Sequence, residues 1–235
     1  MKKKKKILEG RAKKLYETEE TDQLVQEFKD DVITFEGFKK GTIKGKGVTN
    51  NQISSYLFEY LAGFHIVTHF IKNLSSRDML VKQLDMIPIE IIIRNIATGS
   101  FCKRYGLEKG NELDYPITEY FLKDDTNRNP MINATHAISF GYAKIDEIRT
   151  IERLSSKINA VLKSFFARRK LRLVDFKLEF GRYKNKILLG DEISPDTCRL
   201  WDAQTKERLD NGSFLSDESE IETVYEELKN RILQN

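Results

Sequence analysis

The sequence predicts an α+β fold. Three features of its 235 residues carry that prediction. Residues 173–181, "LVDFKLEFG", alternate apolar and charged side chains, as a strand does when successive side chains face opposite ways. From Ile145 to Ala167, Ile148, Ile151, Leu154, Ile158, Val161, Leu162 and Phe165 form one apolar stripe at helical spacing. The first third reads as several strands around one helix.

In order along the chain, "AKKLYETEETDQLVQEFKD" reads as strand, polar turn, strand, anchored by Leu24, Val25 and Phe28. "DDVITFEGFKKGTIKGKG" reads as a loop. "NNQISSYLFEYLAGF" places Ile53, Leu57, Tyr60 and Leu61 on one helical face, with Asn50 or Asn51 as the start cap and Gly63 as the stop. "HIVTHFIKNLS" and "RDMLVKQLDM" read as two strands. Pro88 disfavours helix at Ile87, and the apolar strand "IEIIIRNIA" follows. After the long helix, Leu173–Gly181 and Lys186–Ile193 form an antiparallel hairpin across "RYKNK". Residues 217–233 read as an amphipathic helix. The pattern suggests two lobes, residues 1–85 and 86–235, hinged near residues 84–87.

Composition narrows the function. Apolar residues make up 40% and charged residues 32%, which fits a globular chain rather than a disordered one. No apolar run reaches the ~20 residues that a membrane helix needs, and the basic start lacks the apolar stretch of a secretory signal. Of the net charge of +4, five lysines sit in the run Lys2–Lys6, so the remainder is near neutral and no nucleic-acid face is expected. The run itself reads as a solvated, self-repelling tail. Cys102 and Cys198 fit no metal or redox spacing, which suits a reducing, cytoplasmic home. His65 and His69 lie four apart but lack the H-E-x-x-H pattern.

Four clusters carry candidate chemistry. The hairpin brings Asp191 and Glu192 back toward Asp175–Glu179, and crowded carboxylates invite a divalent cation. Glu179 and Asp191 are the candidate magnesium ligands, against the alternative of a solvated acidic rim. In "RNIATGSFCKRYG", Arg94 and Ser100 suit an anion at a strand-to-helix junction, or the segment is an ordinary capped turn. In "LEGRAKKLYET", Gly10 followed by Arg11, Lys13 and Lys14 can cover a polyphosphate, or form a basic surface hairpin. "DEISPDTCRLWD" groups Asp191, Asp196, Arg199 and Asp202 around the one tryptophan. Lys123 in "FLKDD" has no role by pattern alone.

Together these stretches resemble the SAICAR synthetase family, most specifically in "IPIEIIIRNIATGS" and "LVDFKLEFG", and in the family's order across nearly the whole chain. The resemblance implies a two-lobed fold with a kinase-like ATP cleft, and an ATP-dependent ligase joining L-aspartate to CAIR to give SAICAR, ADP and phosphate. It implies that Gly10, Arg11, Ala12 and Lys13 cover the phosphates, with Lys82 and Met86 beside the adenine and Lys123 on the nucleotide. Glu179 and Asp191 would hold Mg2+. Arg94, Ser100 and Arg199 would take the ribotide phosphate, and Asp175 with Lys177 the imidazole end. Lys13, Lys123 and Lys177 are the catalytic candidates, and a homo-oligomer is implied. The chain departs from the family at Arg128-Asn129-Pro130, where His-Asp-Pro is common, and at Phe35-Glu36, where Phe-Asp is common. A kinase-like phosphotransferase is the rival reading, though "HRD" and "DFG" are absent.

Overall fold

The computed structural model describes residues 2–33, 40–127, 129–209 and 218–234. The departures at Phe35-Glu36 and Arg128 lie outside them. The class is α+β, as predicted. A five-stranded antiparallel sheet has the order β1-β2-β3-β7-β6, built from β1 (Lys6–Glu9), β2 (Lys13–Glu17), β3 (Gln23–Phe28), β6 (Phe70–Asn73) and β7 (Asp78–Lys82). A six-stranded sheet follows, with the order β10-β9-β8-β11-β12. It comprises β8 (Asp85–Ile96), β9 (Glu112–Leu122), β10 (Met131–Ile132), β11 (Leu171–Tyr183) and β12 (Lys186–Leu189), with β13 (Cys198–Asp202) also paired to β11. A small pair, β4 (Asp31–Ile33) and β5 (Lys40–Thr42), stands where only a loop was expected. The helices are α1 (Lys46–Ala62), α2 (Gly99–Tyr105), α3 (Ala134–Ser139), α4 (Ile145–Ala167) and α5 (Glu218–Leu233).

Strand β11 is the spine of the second sheet. It pairs with β8 on one side and with β12 and β13 on the other. Its apolar parity, Val174, Phe176, Leu178 and Phe180, is fully buried. The α4 stripe is buried too, through Ile148, Ile151, Ile158, Leu162 and Phe165, and α4 packs against β11. Each such side chain contributes about 1.5–3 kcal/mol by leaving water. The apolar core runs without a break from Leu24, Phe28 and Met79 of the first sheet, through Ile53 and Leu57 of α1, to Ile89, Phe176 and Leu162.

The segment between the two sheets explains one glycine. A Cβ on Gly181 would lie 2.7 Å from Leu84 Cβ and 3.0 Å from Met86 Sδ, so the segment between the sheets rests directly on β11. Only a residue without a side chain fits beneath it.

Three expectations are corrected. Helix α1 starts five or six residues earlier than a cap at Asn50 or Asn51 would place it, behind Gly45 in the left-handed region (φ 81°). Asn50 and Asn51 are buried inside it rather than capping it, and Asn51 Nδ2 donates to the carbonyls of Ser75 and Ser76. Gly63 does end the helix. The second hairpin strand stops at Leu189: Gly190 keeps one bond to β11, and Asp191, at φ 59°, turns the chain away. The lysine run is not a detached tail. Lys6 opens β1, Lys4 N–H donates to Glu17 O, and Glu17 N–H donates to Lys5 O. Lys3 Nζ pairs with Glu27 and, at 2.7 Å, with Asp78. Carboxylates from β3 and β7 neutralise a charge whose neighbours in sequence would only repel it. Among the described residues no helix is long and apolar enough to cross a membrane.

Deleting Lys2–Lys6 removes those pairs and the start of β1. The expected loss is about 1–2 kcal/mol, or roughly 3–6 °C in Tm, read by differential scanning calorimetry; an unchanged Tm would show that the pairs contribute nothing.

Candidate active site

The site forms where the first sheet meets the loop after β12. The β1–β2 turn holds Gly10, Arg11 and Ala12. It is closed by Gly10 N–H donating to Lys13 O at 2.8 Å and tied to β3's exit by Lys29 N–H donating to Ala12 O at 2.8 Å. Strand β2 then carries Lys13 toward the second sheet, where its ammonium pairs with Asp191 and, at 2.8 Å, with Glu192.

Asp191 reaches that point by a backbone device. Gly190 N–H still donates to Glu179 O at 2.9 Å, as a ladder residue would. Asp191 itself adopts φ 59°, a left-handed conformation that aspartate tolerates better than most residues. The chain therefore leaves β11 beside Glu179, and the two carboxylates expected to hold magnesium stand together.

The polar parity of β11 lines the site. Glu179 faces Lys123, whose Nζ is 2.6 Å away. Lys177 pairs with Glu90 of β8 at 2.9 Å. Asp175 takes Arg94 Nη1 at 3.0 Å and Arg199 Nη1 at 2.6 Å. Burial pushes the Glu179 carboxyl above its ordinary range, and the negative charge of Asp191 adds to that push against Lys123. For Asp191, burial acts in the same direction, but Lys13 and Lys177 outweigh it and hold its pKa low. Burial alone would lower Lys13 and Lys177. The facing carboxylates reverse that, so both are held above the ordinary lysine value and stay cationic. His69, buried behind Asp191, is pushed down to about 3 by desolvation and is neutral.

The remaining candidates fall in two places. Ser100 is exposed in the first turn of α2, whose N-cap is Thr98, and an added Cβ on Gly99 would lie 3.7 Å from Arg199 Nη1. Ser100 and Arg199 thus flank one short helix start. Lys82 ends β7, donates to Thr68 O at 3.1 Å, and is lowered by desolvation. Met86 is partly exposed at the start of β8.

Sequence reasoning missed several members. Glu119 of β9 is 1% exposed and holds Arg94 Nε at 2.5 Å and Arg104 Nη1 at 2.6 Å. Pro116 in its strand obscured the alternation that would have marked it. Glu90 shares parity with Arg94, which was a usable signal. Glu192 and Asp196 were noted but given no role. No three His, Cys, Asp or Glu side chains converge as a metal cage among the described residues. The carboxylate pair fits a cation that uses one or two protein oxygens and leaves the rest for phosphate and water, as Mg2+ does.

Lysines interleaved with carboxylates at a junction of two sheets have the composition that an enzyme handling a transferable phosphoryl group uses to neutralise charge, and the comparisons give that class. The SAICAR synthetase family model matches residues 6–232. A phosphoribosylaminoimidazole-succinocarboxamide synthase from Chloroherpeton thalassium is 52% identical over the full length of both chains. The crystal structure of the enzyme of that name from Ehrlichia chaffeensis superposes with a TM-score of 0.93 at 40% identity, covering 98% of this chain and 100% of that one. A SAICAR synthetase in complex with ADP gives a TM-score of 0.92 at 45% identity, covering 96% and 97%. The chain belongs to the SAICAR synthetase family.

Arg94 is 5% exposed and bridges two buried acids. Arg94→Met leaves Glu119 to Arg104 and Asp175 to Arg199. The expected cost is about 3 kcal/mol in urea unfolding at neutral pH; a loss below about 1 kcal/mol would mean that Arg104 and Arg199 neutralise the acids unaided.

Proposed function

We propose that the enzyme runs its ligation through an acyl phosphate, with the β11 face and the β1–β2 turn as its working surface. The reaction is the ATP-dependent joining of L-aspartate to the carboxylate of CAIR, giving SAICAR, ADP and phosphate in purine biosynthesis. The observation that carries the mechanism is the set of lysines, Lys13, Lys123 and Lys177, interleaved with Glu179, Asp191 and Glu90. Its lysines and acids are engaged with one another as ion pairs, which leaves the carboxylate of CAIR as the attacking group in this reading.

A carboxylate oxygen of CAIR attacks the γ-phosphorus and ADP leaves. The amine of aspartate then adds to the acyl carbon and gives up one proton, and inorganic phosphate departs with the oxygen that CAIR supplied. Lys13 and Lys123 neutralise charge on the phosphoryl oxygens, and their fixed positions avoid the reorganisation that water would need. Gly10, Arg11 and Ala12 cover the phosphates, while Lys82 and Met86 border the adenine. Arg199 and Ser100, with Arg94, take the ribotide phosphate, and Asp175 and Lys177 meet the imidazole end. Glu179 and Asp191 are the residues that would hold Mg2+, which when bound draws electron density from the phosphoryl group. Residues 1–85 and 86–235 act as lobes that close on the nucleotide and keep water from the acyl phosphate.

We place the enzyme in the cytoplasm, where Cys102 and Cys198 remain thiols. We also infer a homo-oligomer. Supporting it, Tyr115, Ile117 and Met131 expose apolar surface along β9 and β10. Light scattering should give at least twice the mass of one chain, and a monomer at micromolar concentration would overturn this.

The chemistry is tested with CAIR carrying heavy oxygen in its carboxylate. ATP turnover should require both CAIR and L-aspartate, and the released phosphate should carry one labelled oxygen by mass spectrometry. Unlabelled phosphate rules out the acyl phosphate. ADP release with CAIR alone, indifferent to aspartate, favours a simple phosphotransferase.

A further inference from the structure

Three elements far apart in sequence meet at one carboxylate. Lys46, in the first turn of α1, is 2% exposed, and its ammonium pairs with Asp196. Asn50, one turn further along α1 and fully buried, donates Nδ2 to the same oxygen at 2.9 Å. Tyr225 of α5, also buried, donates its hydroxyl to the other oxygen at 2.6 Å. An ammonium this deep is held only by a counter-charge in good geometry. Donors on both oxygens fix the carboxylate in rotation as well as in place.

From Asp196 the contacts lead to the site. Asp196 N–H donates to Ser194 Oγ at 3.1 Å, and Ser194 Oγ donates to Glu192 Oε2 at 2.6 Å. Glu192 receives Lys13. Helix α1 grips the same loop a second time, for Ile193 N–H donates to Ser54 Oγ at 3.2 Å. Asp191 lies at the head of this loop in a left-handed conformation, which local backbone preference does not favour and which surrounding contacts must maintain.

We infer that Asp196 is a positioning residue through which α1 and α5 hold the 190–197 loop, and with it the Asp191 carboxylate and the Glu192–Lys13 pair, in working geometry. The inference rests on the reading that Asp191 and Glu179 hold the divalent cation. Partners one layer behind a metal ligand commonly change metal affinity by about 10–100-fold when removed. Asp196 stands further back, behind Ser194, Glu192 and Lys13, so no more than the lower end of that range is expected.

The test measures Mn2+ binding to the full chain by electron paramagnetic resonance, alongside thermal unfolding. Tyr225→Phe removes one hydroxyl, keeps the packing, and should weaken Mn2+ binding about threefold with Tm nearly unchanged. Asp196→Asn alone would strand a buried ammonium, so it is paired with Lys46→Met. That double variant should fold and weaken Mn2+ binding about tenfold. Asp191→Asn serves as the reference and should weaken binding at least as much. Parental Mn2+ affinity in Tyr225→Phe and in the double variant, with Asp191→Asn impaired, would show that Asp196 only braces the fold and would overturn the inference. Parental affinity in Asp191→Asn would overturn the metal assignment beneath it.

Discussion

Strand β11 places three ionisable groups on a face that the rest of the molecule closes over, and each must be met by an opposite charge from another element. Asp175 and Glu179 are each 7% exposed. Left alone, such groups would protonate or unfold the strand. Arg94 comes from β8, Arg199 from β13, and Lys123 from the segment after β9. Glu90 of β8 answers Lys177. The order of the second sheet is thus also an order of charges: the β8–β11 register sets Asp175 opposite Arg94, and sets Glu90 opposite Glu179, within reach of Lys177.

Much of this was legible in the sequence, and for a physical reason. Alternation along 173–181 is a local property, and so is the stripe of the 145–167 helix. Both segments appear in the structure, with β11 extended by two residues at each end. The return of Asp191 toward Glu179 followed from hairpin geometry, although the left-handed turn that ends the strand at Leu189 did not. The family resemblance lay in motifs spread over the chain, and the comparisons bear it out.

The unread parts depend on partners distant in sequence. A run of lysines looks repulsive until Glu27 and Asp78 are brought beneath Lys3. Asn50 and Asn51 have the chemistry of helix caps, but Gly45 starts the helix earlier and turns them inward. Glu119 sits in a strand broken by Pro116, and its two arginine partners come from β8 and α2. In each case residue type was informative, but the deciding charge or donor came from elsewhere in the fold.

The pairing of Lys46 with Asp196 also bears on the order in which the chain is made. A ribosome delivers the first sheet and α1 before residue 196, and residue 196 before α5. Until then the ammonium of Lys46 lacks the carboxylate that permits its burial. Helix α1 therefore completes its inner face only with residues 196 and 225 in place. A helix that belongs in sequence with the first sheet is thus finished by residues that come with and after the second.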